Sequence, residues 1–598
     1  MFQLPPLPVP LLALAAAAVA LATSLREPWL ALLGVPALLL APGWSISRRL
    51  NRRSDGSAGL LAVVVDAAWL SVPAAATGWA VARLTGLGPW SVLTVAALGA
   101  ATGEVWARRR PVAKLVTSGR ERLALAAGVV LLGAWFAMSA GTIARPLDRY
   151  WYVAGVEEAL PEEAPALAAG EGWREVTPIG EAGGLLRLRP SASAAWLERG
   201  AGDGRVALLL HAPVGAWVEG LGDRRLLVEA SPVEDVEEGP VWRYEEVGVA
   251  GRLVERPAAS VALRFSHPET STLYIVASRG ALWTLDGIGE LRLAHYYQLL
   301  NMVEQLVWAD KRWVTDVQPP LGTWVLGPAL ALTEGGLPTA NVLLLYVLSL
   351  STVAMTRFLS RFAPDAPALA WVLPAAGAVV TGKLLLEPGS AGMPDALYAL
   401  SIVTGLAGRG EAYTLVAQLL RYPGAAVVAV GVVLAGEGAR ALRGMLLVAV
   451  AAAAFGMGGA LTGALPGWLA TVGWESGPEH WHGEFDPETL LGRAPGFYLS
   501  WLIYAGFTPV LALLGWCRGV RVALGTALIY SLLLATIDHA PTHYFLPLVQ
   551  LAVCACACAS APSANRAGFA ATPMRGIVVS GLGLVGLLIF WLFGEIRG

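Results

Sequence analysis

Two cations and an indole stand together at Lys311-Arg312-Trp313, just ahead of a Pro-Pro step, Gln318-Pro319-Pro320-Leu321-Gly322-Thr323-Trp324, that leads into an apolar run. Lysine and arginine at a membrane–water boundary can hold a lipid phosphate. The same pair can equally snorkel to water beside an interfacial tryptophan. Carboxylates occupy comparable boundaries. Asp148 lies in Pro146-Leu147-Asp148-Arg149-Tyr150-Trp151-Tyr152, directly after an apolar run, either as a proton acceptor or as a surface carboxylate paired with Arg149 or Arg145. Glu290 opens the stretch Glu290-Leu291-Arg292-Leu293-Ala294-His295-Tyr296-Tyr297, as a base oriented by Arg292 or as a helix-start carboxylate favoured by the helix dipole. Asp395, in Gly392-Met393-Pro394-Asp395, heads another apolar run, where a carboxylate is costly in lipid and marks function or a water boundary. Arg421 and Lys383 are further cations near run ends, placed to snorkel or to meet phosphate. Asp538, His539 and His543 flank one more run, as acceptor or phosphate contacts or as a polar helix cap. His480, His482, Glu479, Glu484 and Asp486 crowd one loop, but His-Trp-His is poorly spaced for a metal. A divalent metal is therefore an option and no cofactor is required.

These residues must be positioned by membrane helices. The chain has 598 residues, of which 56% are hydrophobic and 14% charged, against about 25% charged in soluble domains. The net charge of −2 gives no nucleic-acid surface. A crossing helix needs about 20 mostly apolar residues. Such runs lie at about 8–24, 27–44, 59–83, 90–107 and 122–143, and again at 321–333, 339–357, 367–382, 394–407, 413–435, 441–463, 496–516, 519–537, 541–559 and 576–595. The first run lacks a basic n-region and an A-x-A pattern, so it reads as a retained span. The expected fold is a polytopic α-helical membrane protein of about 13–15 spans with an inserted extracytoplasmic β-sandwich-like domain.

Arginine and lysine in short loops set the orientation. Arg48, Arg49, Arg52 and Arg53, then Arg108, Arg109, Arg110, Lys114, Arg120 and Arg122, place two loops in the cytoplasm and the stretch after residue 143 outside. Arg518, Arg521, Arg566 and Arg575 mark further cytoplasmic loops. Counting each run from 321 to 435 as one crossing puts Arg357 and Arg361 outside and Asp395 inside, against the positive-inside bias; a re-entrant or in-plane segment reverses this. The organisation is then an N-terminal membrane module (1–121), a span (122–143), a β-rich domain (144–289), an amphipathic helix with the Pro-Pro element (290–320) and a C-terminal membrane core (321–598). Within the β-rich domain, strands are expected at 184–189, 205–211, 225–230, 241–248, 260–266 and 272–278. The four cysteines, Cys517, Cys554, Cys556 and Cys558, all lie in apolar segments, so the β-rich domain folds without disulfides.

The order of these motifs resembles the GT-C membrane glycosyltransferases. An acidic residue, an E-x-R-x-A amphipathic helix, a Trp about two dozen residues on and x-P-P-L-G-x-W at the head of a span are similar to the aminoarabinose-transferase and protein O-mannosyltransferase branch. Gly392-Met393-Pro394-Asp395, Leu420-Arg421-Tyr422-Pro423-Gly424 and His543-Tyr544-Phe545-Leu546-Pro547-Leu548 follow in the same order, so the likeness covers about 290–560. It implies transfer of a sugar from a polyprenyl phosphate to an extracytoplasmic lipid, glycan or protein in a bacterial inner (plasma) membrane. It also implies a catalytic Asp, often Asp-Glu, in the first extracytoplasmic loop. Here Gly289-Glu290 stands at that place, with Asp286 three residues earlier and Asp148 as the other candidate. Lys311, Arg312, Arg292, Gln318 and Arg421 are then the phosphate and lipid set, and Asp395, His295, Tyr296, His543 and Tyr544 the acceptor or sugar contacts. No Walker A motif or strand-borne G-x-G-x-x-G occurs, in keeping with a donor that arrives activated on lipid. The departure at Gly289 leaves room for a catalytically silent protein that binds or scaffolds lipid-linked glycans. A lipid-linked-sugar transporter ranks third, because the last spans do not repeat the first.

Overall fold

The computed structural model describes residues 8–25, 34–85, 89–108, 113–143, 167–179, 185–200, 205–213, 215–220, 225–228, 247–255, 260–277, 321, 325, 328, 337–386, 393–420, 424–462, 487–534, 542–564 and 573–593. The chain divides into two compact units. One comprises Met1–Ala144, Asp316–Glu334 and Pro338–Arg597, and the other is centred on Arg145–Thr315.

The first unit is helical. It opens with α1 (Pro8–Leu25), α2 (Val35–Leu38), α3 (Ala41–Leu50), α4 (Leu60–Thr85), α5 (Pro89–Arg108) and α6 (Gly119–Ile143). The expected span 27–44 is not one helix. Pro36 and Pro42 each sit in the first turn of a short helix, where a missing N–H costs nothing, and so divide the run. Helices α3 and α4 approach at Gly43, where a Cβ would lie 2.3 Å from the Ala67 carbonyl oxygen. Ser47 Oγ donates to Val63 O at 2.8 Å and Gly43 N to Ser71 Oγ at 2.9 Å. Close backbone approach over small residues, cross-linked by hydroxyls, is how helices pack where no hydrophobic drive operates between them.

The rest of the unit comprises α7 (Leu337–Phe362), a 3-10 turn at Ala368–Trp371, α8 (Leu373–Leu386), α9 (Met393–Ala407), α10 (Gly410–Gln418), α11 (Gly424–Leu434), α12 (Gly438–Thr462), α13 (Pro487–Tyr504), α14 (Thr508–Ala512), α15 (Arg518–Leu534), a 3-10 turn at Thr542–Phe545, α16 (Leu546–Ala559) and α17 (Pro573–Phe593). Among the described residues four segments are long and apolar enough to cross a membrane: Leu60–Gly78, Leu343–Phe362, Ala368–Leu385 and Met574–Trp591. Four shorter apolar helices accompany them. The break between α13 and α14 has Gly506 and Phe507 at φ 56° and 60°. A Cβ on Gly506 would meet the backbone of Gly586 and Leu587 at 2.6 Å, so glycine there serves both the left-handed turn and the contact with α17.

One end of this unit gathers the basic residues. Strand β1 (Ser57–Gly59) pairs in parallel with β2 (Lys114–Val116), joining the loops that follow α3 and α5. Arg48 donates to Ala113 O at 2.6 Å, Arg120 to Pro364 O, and Ser360 Oγ to Glu121 at 2.9 Å. Arg357 and Arg361 thus share an end of this unit with Arg48 and Arg120, the arrangement that the re-entrant alternative describes. Run 413–435, expected as one crossing, is two helices. Nine residues of α10 and eleven of α11 rise about 14 and 17 Å, half of a hydrocarbon core of about 30 Å. They form a hairpin that leaves the basic end and returns to it. Asp395, at the head of α9, consequently lies at the opposite end.

The second unit contains two five-stranded sheets. One has the order β10-β7-β12-β5-β4, from β4 (Trp173–Ile179), β5 (Leu185–Pro190), β7 (Arg205–Pro213), β10 (Val247–Glu255) and β12 (Thr272–Ala277). The other has the order β3-β6-β11-β8-β9, from β3 (Leu167–Ala169), β6 (Ala194–Arg199), β8 (Trp217–Glu219), β9 (Leu226–Leu227) and β11 (Val261–Phe265). Their pairings are antiparallel. Leu188, Leu208, Leu210, Leu273 and Ile275 of the first and Leu197, Val218, Leu263 and Phe265 of the second form one buried core. Of the expected strand 241–248, residues 241–246 lie outside the described residues and 247–248 open the strand 247–255; 167–169, 173–179, 194–199 and 217–219 are strands the alternation did not single out. Leu208 is fully buried in that core. Leu208→Ala should therefore lower the stability of this unit by about 2–5 kcal/mol, measured as faster denaturant-dependent proteolysis between residues 167 and 277 of the full chain, with the helical unit unaffected.

Candidate functional site

The sequence-derived set divides sharply. Asp148, Asp286, Glu290, Arg292, His295, Tyr296, Lys311, Arg312, Gln318 and Arg421 lie outside the described residues, as do the loop with His480 and His482, Asp538, His539 and the side chain of His543. Asp395, Tyr544 and Lys383 are described, and all three belong to the end of the helical unit remote from the basic cluster.

Asp395 stands in the first turn of α9 and is 2% exposed. Arg361 donates to Leu406 O at 3.1 Å, fixing the other end of the helix to the basic end. Eleven residues at about 1.5 Å rise put Asp395 about 17 Å from that contact. One turn on, Tyr398 is buried and meets Tyr530 of α15 edge-on at 5.9 Å. Helix α9 packs against α16 and against the Thr542–Phe545 turn, which carries half-buried Tyr544 and buried Phe545. Phe545 contacts Phe497 at 4.9 Å and Tyr504 at 5.1 Å, and Tyr504 contacts Phe590 at 5.7 Å. A carboxylate removed from water therefore sits beside a wall of aromatic rings drawn from α13, α17 and the turn before α16. Such a wall offers faces for a sugar ring or a prenyl chain, and the carboxylate can accept a proton or a hydroxyl hydrogen bond.

Lys383, read as a cation that snorkels or meets phosphate, is held by backbone carbonyls. Its Nζ donates to Phe590 O at 3.0 Å and Trp591 O at 3.1 Å and lies 5.1 Å from the Phe590 ring. It caps the last turn of α17, where orphan carbonyls and the helix dipole favour a cation. Gln550 of α16 is fully buried. Its Nε2 donates to Ser351 Oγ at 3.3 Å, while Oε1 has no partner among the described residues. Tyr398, Tyr530 and Gln550 were not singled out from the sequence. Their only signal is polarity at helical spacing inside apolar runs.

The basic end holds a second polar constellation that sequence reading missed. Asp66 of α4 is 4% exposed. Its Oδ1 accepts from Arg357 of α7 at 2.9 Å and from the Tyr413 hydroxyl of α10 at 2.8 Å. Its Oδ2 accepts from Asn51 at 2.8 Å and lies 3.9 Å from Arg409 Nε. Nearby, Glu437 pairs with Arg361, with Arg440 at 3.0 Å and with Arg518 at 3.8 Å. A single Asp inside an apolar run is the signal that could have led to it.

Beside this cluster Cys517 occupies the turn before α15, half-buried. Its thiol donates to Cys558 O at 3.8 Å, and the neighbouring Cys558 side chain outweighs burial and brings the Cys517 thiol down to about 7. The triplet Cys554, Cys556 and Cys558 is buried in α16.

Comparison with protein-family models, curated proteins and solved structures found no match.

Because Cys517 loses its proton near pH 7, its alkylation should reach half its maximal rate there, rather than near 8.5 as for an ordinary thiol. Iodoacetamide labelling of the Cys517→Ser variant alongside the parent protein, followed by peptide mass analysis from pH 5.5 to 9.5, checks this.

Proposed function

We propose that this protein is a polyprenyl-phosphate-sugar-dependent glycosyltransferase of GT-C type that glycosylates an extracytoplasmic lipid, glycan or protein. The observation that carries the reading is Asp395, a buried carboxylate at the non-basic end of the helical unit, beside the aromatic residues of the turn before α16. Two motifs 150 residues apart, Gly392-Met393-Pro394-Asp395 and His543-Tyr544-Phe545, are brought onto packed elements there. With the basic end in the cytoplasm, that end faces outward, where lipid-linked donors are used. The helical unit is read as polytopic with fewer full crossings than its apolar runs, in a bacterial inner membrane. The two sheets sharing a core are read as a sandwich-like extracytoplasmic domain.

In this mechanism a carboxylate takes the proton of the attacking hydroxyl or amine, and cations stabilise the departing polyprenyl phosphate. Asp148, Glu290 and Asp286 remain the base candidates in the loop that the resemblance indicates, with Asp395 contacting acceptor or sugar. Lys311, Arg312, Arg292, Gln318 and Arg421 are the phosphate candidates.

A catalytically silent glycan-binding protein is the second reading, and one observation favours it. The outer face of the β3–β9 sheet exposes Trp196, and carries Trp217 with the Arg225 guanidinium 4.4 Å from its ring beside Glu219. Indole faces flanked by charged hydrogen-bonding groups suit sugar rings.

Reconstituted protein offered a radiolabelled polyprenyl-phosphate sugar and a membrane extract as acceptor distinguishes the two. The transferase reading expects transfer, with Asp395→Asn lowering its rate by about 10²–10⁴ while purified yield and melting behaviour are kept. Combined alanine at Asp148, Glu290 and Asp395 leaving transfer unchanged would sink it. Saturable donor binding without turnover supports the silent reading.

A further inference from the structure

The half-depth hairpin of α10 and α11 is held at both feet by charge and touched at its tip by Leu321. At the first foot, Tyr413 donates to Asp66 at 2.8 Å and Arg409 lies 3.9 Å from the same carboxylate. Trp69, one turn along α4 from Asp66, meets the Tyr413 ring edge-on at 6.3 Å. At the second foot, Glu437 follows α11 and pairs with Arg361, which also donates to Gly408 O at 3.3 Å. At the tip, Leu419 O accepts the backbone N–H of Leu321 at 3.0 Å. Leu321 directly follows Pro319-Pro320 and is buried, as is Val325 one turn on.

Asp66 and Leu321 are thus connected through one rigid element. From Tyr413 to Leu419 is about one and a half turns of helix, about 9 Å of rise. Any sliding or tilting of α10 at its foot moves the carbonyl that Leu321 needs. Asp66 also ties the foot to two other helices at once, through Arg357 of α7 and through Asn51 at the end of α3. We propose that Asp66 is a positioning residue: through Tyr413 it sets the depth of the α10–α11 hairpin and so the placement of Leu321. Its effect on turnover rests on the transferase reading, but its effect on Leu321 does not.

The test is hydrogen exchange on the full-length protein in lipid nanodiscs, read by mass spectrometry. Pro319 and Pro320 carry no amide hydrogen, so a peptide opening there reports from Leu321 onward. Three variants are compared with the parent. Tyr413→Phe removes the hydroxyl that reaches Asp66 and leaves the ring. Asp66→Asn removes the charge. Asn51→Ala removes a contact to Asp66 that does not involve the hairpin. The proposal expects Leu321 exchange to rise tenfold or more in Tyr413→Phe and Asp66→Asn and less than twofold in Asn51→Ala, with Leu546–Ala559 unchanged throughout. Where polyprenyl-phosphate sugar is turned over, kcat should fall at least tenfold in Tyr413→Phe with KM for donor within twofold. If the parent shows no turnover yet the exchange pattern holds, the transferase reading fails and the positioning role stands. Leu321 exchange unchanged in Tyr413→Phe overturns the proposal. So does a rise matched by the same rise in Leu546–Ala559, or an equal response to Asn51→Ala, since either marks general loosening. Should Asp66→Asn fail to fold, Tyr413→Phe still decides.

Discussion

A carboxylate buried in a helical membrane unit must be surrounded by donors, and the arrangement around Asp66 follows from that requirement. Isolated, it would carry a desolvation cost of several kcal/mol. Two guanidiniums, a phenol and an amide offset it, and they come from α7, the turn before α10, α10 itself and the turn after α3. The four donors are drawn from sequence positions 51, 357, 409 and 413, so one side chain makes the N-terminal helices and the later helices a single packed object. The geometry commits both oxygens of this carboxylate to holding helices together. Breaking one arm of such a buried set typically costs about 3–5 kcal/mol, more than most single packing contacts.

The membrane class and most helix positions were legible because they depend on local composition. The runs 59–83, 90–107, 122–143 and 576–595 lie within a few residues of α4, α5, α6 and α17. What was not legible depended on partners remote in sequence. Run 413–435 has enough apolar residues for a crossing, and its composition hides the return. The breakers Pro423-Gly424 mark the turn in the sequence, yet the pairings of Glu437 with Arg361 and of Arg440 with Glu411 are what show that the chain comes back to the end it left. The positive-inside conflict at Arg357 and Arg361 was the symptom in the sequence that one of the runs between 321 and 435 is not a simple crossing. Asp66 was equally visible as a letter in an apolar run, but its partner is 291 residues away.

In the β unit, alternation found the strands whose inward residues are large. Leu186 and Leu188 in β5 and Leu208 and Leu210 in β7 belong to or pack on the core. It passed over β6, whose inward residues Ala195 and Leu197 are separated by an outward Trp196, and over β8, only three residues long. Both lie in the sheet whose outer face carries the exposed indole. Strands that use aromatic residues outward read poorly by hydrophobic period, and the same feature makes that face a candidate for ligand contact.

The two ends of the helical unit obey opposite solutions to the same problem. At the basic end, charges are matched in fixed pairs, and every arm of Asp66 and Glu437 is spent on another element of the fold. At the other end the cation Lys383 is spent on α17, and the buried Asp395 stands in the first turn of α9, one turn before the contact of Tyr398 with Tyr530. Aromatic side chains of α13, α17 and the turn before α16 meet one another near that end. The half-depth hairpin joins the two solutions: its feet are held by the matched charges, and its tip accepts the Leu321 amide.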